Sequence, residues 1–448
     1  MKLKEYIGPK EYYKKLFKVA LPLALSELLQ SCMSVVDSIM VAGIGMVTAV
    51  GNATNIIQLN EGIMWGIISG IATFGAQFYG ANQKEKMAKT FGLSIVLMSI
   101  NAFIWLSAVY LFGERILYFY LKESELLPYS LAYIRIAILA LIPQVFNFSC
   151  SVMYRSMHNT KMPFIFSVLG SLLNVVLNYI FIYRLNLGVV GAAYGTLIAQ
   201  LFITVLYAYT LYKERPIFFI PKEMFKLNLN FCLPVFGTMY SVIINETFFS
   251  FGLSLFNKAY GLLGVEAMDA VYIANQVFNM FTFAIWGFGA AVSIIIGTKL
   301  GEGDVEGAIR DSKYQLGVGF ILGLILFIST IGLSDIYLNF FNITKIETYN
   351  NAKLILDAYA IKAFLRTFTY LMFSTLKAGG DAKILNLYDA GFMYMIGLPL
   401  AFGCVFIGIK NIGILIMICQ IEQLVRVLFC LKRYNSHIWA RNLTKLVS

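Results

Sequence analysis

Apolar residues run through this chain in long blocks, and polar residues gather in short stretches between them. About 20 consecutive, mainly apolar residues cross the hydrocarbon core of a bilayer as one helix. Twelve such blocks can be marked. The first six lie at 18–43, 56–79, 91–112, 128–154, 164–184 and 190–212, and the second six at 231–257, 270–298, 314–334, 352–376, 386–409 and 412–431. Between the two sets lies KERPIFFIPKEMFKLNLN, whose two prolines and mixed charge read as a linker. The pattern predicts an all-α polytopic membrane protein of twelve transmembrane helices, with an N-terminal six-helix lobe over 1–212, a cytoplasmic linker over 213–230, and a C-terminal six-helix lobe with a cytoplasmic tail over 231–448.

The two halves echo each other. The first opens with ALPLALSELLQ and the second with CLPVFGTMYSV; the second span ends AQFYGANQKEKMAK and the eighth GTKLGEGDVEGAI, so that Gly80 and Gly301 stand in matching places. Six helices repeated once in the same membrane orientation predict two pseudo-symmetric lobes related by an axis along the membrane normal, a common transporter plan.

Composition agrees. The chain of 448 residues is 59% hydrophobic and 13% charged, with a mean hydropathy of +0.74, against about 25% charged in a soluble domain. Its net charge of +11 would suggest nucleic acid in a soluble protein, but 23 of the 35 Lys and Arg fall in the N-terminal tail, the loops after the even-numbered spans, and the C-terminal tail. That is the positive-inside bias, and it predicts both termini in the cytoplasm, with no nucleic-acid partner. The N-terminus is too polar for the core of a signal peptide. The six Cys lie in apolar segments without a CxxC pair and read as small buried hydrophobes, and two His are too few for a His-based metal centre.

Ionisable groups inside apolar spans then carry the most information, since each costs about 2.5–3.5 kcal/mol to insert. The intramembrane acids are Glu27, Asp37, Glu61, Glu246, Asp357, Asp389 and Glu422. Asp37, in SVVDSIMVAGIG, lies about 9 Å from the outer end of span one at about 1.5 Å per residue. Asn178 lies at a similar depth on span five, Asn174 one turn deeper on the same face, and Thr196 about 9–12 Å into span six. One carboxylate, two carboxamides and a hydroxyl form an oxygen-rich layer that could hold a proton in a hydrogen-bonded network or a hard cation such as Na⁺. The Asn and Thr could equally serve as interhelical hydrogen-bond glue. Apolar surroundings disfavour the charged form of Asp37, which suits it to exchange protons.

The remaining groups divide. Glu422 and Arg426 are four apart and read as a structural pair. Asp389, near the cytoplasmic end, could cap, pair or bind; Glu246, mid-membrane in IINETFF, reads as a cation contact in the second lobe; Lys362 and Arg366 read as neutralising Asp357 or binding carbonyls. Pro22 opens span one, either as a bend or as a plain helix start, and Gly43, Gly45 and Gly51 loosen its outer end. No phosphate-binding GxxxxGK[ST] loop, HExxH or GxSxG occurs, so no enzyme reading is supported. GEGDVEG follows a membrane helix and reads as a loop.

Several stretches taken together resemble the multidrug and toxic compound extrusion (MATE) transporters of the prokaryotic NorM- and DinF-like kind. They are LPLALSELLQSCMSVVDSIMVAGIG, GAQFYGAN, MYRSMHNTKMPF, LNVVLNYIFIYRLNLGVVGAAYGT, VIINETFFSFG, IIIGTKLGEGD, LKAGGDAK and WARNLT, and they span nearly the whole chain. The resemblance implies two six-helix lobes around a central cavity. It implies export of cationic amphipathic drugs by antiport with H⁺ or Na⁺, with no cofactor beyond that ion. It also implies a plasma-membrane monomer whose partners are small-molecule cations and membrane lipids. Asp37 matches the coupling carboxylate of relatives, and Asn174, Asn178 and Thr196 match polar positions around it, the set that would hold Na⁺. Some relatives have a second Asp where this chain has Asn178. Pro22 matches a helix-bending proline, and Glu246 an acid found in part of the family. The rival readings are a lipid or oligosaccharide-lipid flippase of similar architecture, and a channel or membrane scaffold.

Overall fold

A computed structural model describes residues 3–44, 46–120, 126–339 and 345–446. Gly45 lies outside the described residues. Twelve long helical segments follow the twelve expected spans: α1 (Lys10–Ala42), α2 (Val47–Gly80), α3 (Lys84–Tyr120), α4 (Leu127–Ser156), α5 (Lys161–Arg184), α6 (Gly188–Glu214), α7 (Leu229–Gly261), α8 (Val265–Glu302), α9 (Val305–Asn339), α10 (Ile346–Ala378), α11 (Lys383–Phe406) and α12 (Ile412–Asn435). Among the described residues there is no strand. Ten of these stretches are long and apolar enough to cross a membrane; α2 and α10 fall short because of residues such as Asn60 and Glu61, and Asp357, Lys362 and Arg366.

The helices outrun the apolar blocks at several ends. α1 begins at Lys10 rather than 18, carrying Lys14 and Lys15 in helix. Pro22 therefore lies inside α1 instead of starting it. It removes one backbone hydrogen bond from the helix interior, and Ser26 Oγ donates to its carbonyl at 2.8 Å. Two more prolines mark local irregularity. A 3₁₀ turn at Ile138–Ala140 precedes Pro143 in α4, and α11 passes through π turns at Asn386–Gly391 and Met393–Gly397 before Pro399. α5 ends in a π turn at Ile180–Arg184, directly after Asn178. Such turns often accompany functional sites.

The described residues form two compact units, 28–243 with 446, and 3–27 with 244–445. The boundaries cut α1 and α7 rather than the 213–230 linker. Within the first unit, Gly66 and Gly70 of α2 leave room for Ile243 and Met239 of α7, and Phe78 stacks on Phe231 at 6.0 Å. Within the second, Leu16, Val19, Ala20 and Leu23 of α1 pack on Ala291, Ile294 and Ile295 of α8, where Gly287 admits the backbone of Ala24. Small residues let helices approach closely where lipid gives no hydrophobic incentive to associate.

Polar groups inside the units are paired across helices: Asn101 Nδ2 donates to Asn60 Oδ1 at 2.6 Å, and Ser94 meets Ser149 at 2.8 Å. The outer faces are apolar. α9 exposes Phe320, Ile321, Leu324, Ile325, Ile328 and Ile331 in one stripe, as a lipid-facing helix does. Four of the six cysteines are buried; Cys232 is half-buried, and Cys32 is exposed because it lies roughly 140° round α1 from Asp37. At one end of the 244–445 unit the tail folds back. Trp439 is fully buried, donates from Nε1 to Tyr434 O at 3.0 Å and stacks on its ring, while Gly379 leaves room for the Trp439 carbonyl.

Candidate functional site

Asp37 lies half-buried on α1, and its Oδ1 accepts a hydrogen bond from Asn178 Nδ2 at 2.8 Å. The same Nδ2 reaches Asn174 Oδ1 at 3.2 Å, and Asn174 Nδ2 reaches Thr196 Oγ1 at 3.3 Å. Turned over, the Asn174 carboxamide gives up the bond from Asn178 Nδ2 and gains two others. Its nitrogen then donates to Asp37 Oδ1 at 3.2 Å, and its oxygen accepts from the Thr196 backbone N–H at 3.2 Å. Thr196 Oγ1 also donates to the Ala192 carbonyl at 3.2 Å. The four polar residues expected to share a layer therefore do so, on α1, α5 and α6.

Helix packing sets this layer. Asn174 and Asn178 are one turn apart and stack on one face of α5; Asn178 is 1% exposed. α6 comes close because of Gly191 and Gly195: a Cβ on Gly195 would stand 2.1 Å from Asn178 Oδ1, and one on Gly191 would meet the Phe181 backbone. Asn178 Oδ1 is thus enclosed without a donor while its Nδ2 points at Asp37. Toward the C-terminal end of α1, Val41, Ile182 and Ala192 form an apolar cluster joined by Met40, Val50 and Tyr133. Tyr183 Oη donates to the Met40 carbonyl at 2.7 Å and ties the end of α1 to α5.

A second charged cluster lies in the 244–445 unit. Asp389, on a π turn of α11, receives Arg366 Nη1 at 3.0 Å and Arg426 Nη1 at 2.6 Å on Oδ1, and Asn245 Nδ2 at 3.1 Å on Oδ2. Arg426 also binds Glu422, as their spacing predicts, and Gln423 holds the other oxygen of Glu422 at 2.8 Å. Arg366 therefore neutralises Asp389 rather than Asp357. Lys362 does neither: its ammonium lies 4.7 Å from the Tyr359 ring centroid and 5.2 Å from that of Phe278. Asp357 stands nine residues before Arg366, about 180° round α10 from it, and lies beside Lys353. Glu246 lies within electrostatic range of Lys377, Asp389 and Arg366, outside the hydrogen-bonded cluster.

Several contributors escaped the sequence reading. Tyr133 of α4 is close enough to Asp37 to feel its charge. Asn147 of α4 donates to Gln200 Oε1 of α6 at 3.0 Å and accepts from Thr204 Oγ1 at 2.9 Å. Mid-span polarity, the criterion that picked out Asn174, applies equally to Asn147 and Gln200. Tyr133 and Tyr183 carry no such signal among 27 tyrosines. Among the described residues no group of three or more His, Cys, Asp or Glu could hold a metal ion.

Comparison with known proteins adds a second line. The MatE family model matches residues 22–180 and 242–402. Human multidrug and toxin extrusion protein 1 is 22% identical over 434 residues, covering 93% of this chain and 74% of that protein. The probable multidrug resistance protein YoeA of Bacillus subtilis is 25% identical over 390 residues, covering 82% and 78%. Among solved structures, an outward-facing multidrug resistance MATE family transporter of the MOP superfamily superposes with a TM-score of 0.86 at 19% identity, covering 97% of this chain and 98% of that one. A MOP superfamily transporter from Pyrococcus furiosus, described as having a binding pocket of reversed polarity, gives 0.85 at 20% identity with the same coverage.

Proposed function

The chain belongs to the MatE family, whose members are multi-pass membrane transporters and not enzymes, and from that premise we propose that it exports cationic amphipathic compounds by antiport with H⁺. One observation carries the choice of ion: the Asp37 carboxylate is an acceptor for amide N–H groups, Asn178 Nδ2 at 2.8 Å and, in the turned-over orientation, Asn174 Nδ2 at 3.2 Å. A proton can join the other carboxylate oxygen without displacing either donor, although the neutral carboxyl then accepts more weakly than the carboxylate. Na⁺ would require both carboxamides to turn their oxygens inward, and Gly195 encloses Asn178 Oδ1 on the far side. Na⁺ held by Asp37, Asn174, Asn178 and Thr196 is the second reading.

In this mechanism H⁺ arriving from outside neutralises Asp37 and weakens its hold on Asn178. The outer half of α1 is then free to shift, with Pro22 as the bend, and the drug-releasing state is favoured. An ion moves such an equilibrium only by its differential affinity for the two states. Asp37, Asn174, Asn178 and Thr196 lie within one chain, which supports a monomer. The Lys and Arg bias supports a membrane protein with cytoplasmic termini, and the echo between the two sequence halves supports two six-helix repeats joined by the 213–230 linker. The flippase reading needs free intramembrane cations for phosphate. Arg366 and Arg426 are neutralised by Asp389 and Glu422, which leaves few candidates among the described residues, such as Arg135, Arg155 and Lys362.

Ethidium efflux from proteoliposomes, with pH and Na⁺ gradients imposed independently, tests the proposal. The pH gradient alone is expected to drive efflux, and Asp37→Asn to abolish it. Undiminished gradient-driven efflux by Asp37→Asn would sink the mechanism, and efflux driven by Na⁺ alone would select the second reading.

A further inference from the structure

The Asp37 layer is one end of a cavity inside the 28–243 unit. The cavity has a volume of about 280 Å³ and lies between α4, α5 and α6, with Gln30 and Asp37 of α1 at its side. On α5 its lining runs from Asn174 back to Pro163, and on α6 from Thr196 to Tyr207. At about 1.5 Å per residue each run is roughly 16 Å long. That volume accommodates about nine waters at roughly 30 Å³ each. Drawn out over such a length, and partly open to the surface, it is a slender thread, smaller than the compact pocket of about 300–1,000 Å³ that takes a drug-sized molecule.

The charge along this thread is uneven. Asp37 stands at one end and Arg155 at the other, and the groups between are uncharged, chiefly Asn147, Gln200 and the hydroxyls of Ser151 and Ser167. Arg155 is the penultimate residue of α4, so its end of the thread lies at the turn into α5, the cytoplasmic side in the proposed orientation. Its Nε is buried with no hydrogen-bond partner, and among the described residues the guanidinium has no ion-pair partner. A fixed positive charge in a narrow, low-dielectric passage raises the energy of any cation that comes beside it, the device by which channels exclude protons and cations.

We infer that Arg155 is an electrostatic barrier that seals the 28–243 unit against cation leak, so that an ion bound at Asp37 cannot pass through the thread to the far side. This rests on reading Asp37 as the coupling site. The barrier explains how a polar, hydratable path can adjoin the coupling carboxylate without short-circuiting the gradient.

Proton influx into proteoliposomes holding a pH-sensitive dye, under an imposed pH gradient and with no drug present, tests it. Arg155→Gln is expected to raise influx at least about tenfold over the parent protein, equivalent to roughly 1.4 kcal/mol of barrier. Arg155→Lys, which keeps the charge, is expected to stay at the parent level, and Asp37→Asn with Arg155→Gln to fall back toward it. Should Arg155→Gln fail to fold, Ser151→Asp, which sets a carboxylate one turn from Arg155, is expected to open the same leak. Parent-level influx in a folded Arg155→Gln or Ser151→Asp variant overturns the inference, as does a leak that persists in the double variant. The influx is read without drug, so failure of the parent protein to couple ethidium efflux to a pH gradient would count against the antiport reading separately.

Discussion

Asn178 illustrates how much one side chain decides. Its nitrogen holds Asp37, and its oxygen is held against Gly195 with no room for a methyl group. Gly195→Ala would press a Cβ to 2.1 Å from that oxygen, an overpacking that costs about 1–3 kcal/mol. The expected result is expression near normal with pH-driven ethidium efflux reduced at least about tenfold; full efflux would show that Asn178 need not hold Asp37. Arg426 plays the opposite part. It is 1% exposed and ties Asp389 to Glu422. Removing one partner of a buried ion pair costs about 3–5 kcal/mol because the other charges stay behind. Arg426→Leu is accordingly expected to lower thermal stability in detergent sharply, and an unchanged melting temperature would remove the structural role assigned to the cluster.

At the scale of elements, the turn GEGDVEG explains its own composition. Gly303 ends α8 with φ +86°, and Asp304 then caps α9 by accepting the Gly307 N–H at 2.8 Å. A side chain on Gly307 would collide with the Asp304 carboxylate. The Gly307 N–H, with Lys299 adding to it, holds the Asp304 carboxyl below the usual range. Its stabilising contribution is therefore present above the ordinary carboxylate range and fades as pH falls through the lowered value. Asp304→Ala is expected to cost about 1 kcal/mol, read as a fall in melting temperature at neutral pH that narrows on acidification. α1 is the other instructive element. Its hydrophobic pattern marks one span, yet its residues up to Glu27 belong to one unit and those from Leu28 to the other.

For the whole molecule, charge predicts orientation. The positive-inside bias predicts the α6–α7 connection in the cytoplasm and the α11–α12 turn outside. Lys410→Cys is expected to react with a membrane-impermeant maleimide in intact cells and Lys222→Cys only after permeabilisation, in a background lacking the exposed Cys32. The reverse pattern would invert the proposed transport direction.

The periodicity and length of apolar blocks were enough to predict twelve helices, because a bilayer demands a continuous apolar helix of a set length and one residue's neighbours along the chain report it. Depth counting brought Asp37, Asn174, Asn178 and Thr196 into one layer for the same reason: rise per residue is a local property. Partner choice among buried charges was not local. Spacing along α10 separates Arg366 from Asp357 by about 180°, but that Arg366 meets Asp389 on a π turn of α11 is a pairing between distant segments. The cavity that joins Asp37 to Arg155 depends on how α4, α5 and α6 pack, with Asn147 of α4 bonded to Gln200 and Thr204 of α6, and the unit boundaries inside α1 and α7 follow long-range packing. Such contacts join residues far apart in the chain, and their energies are settled only when the helices pack.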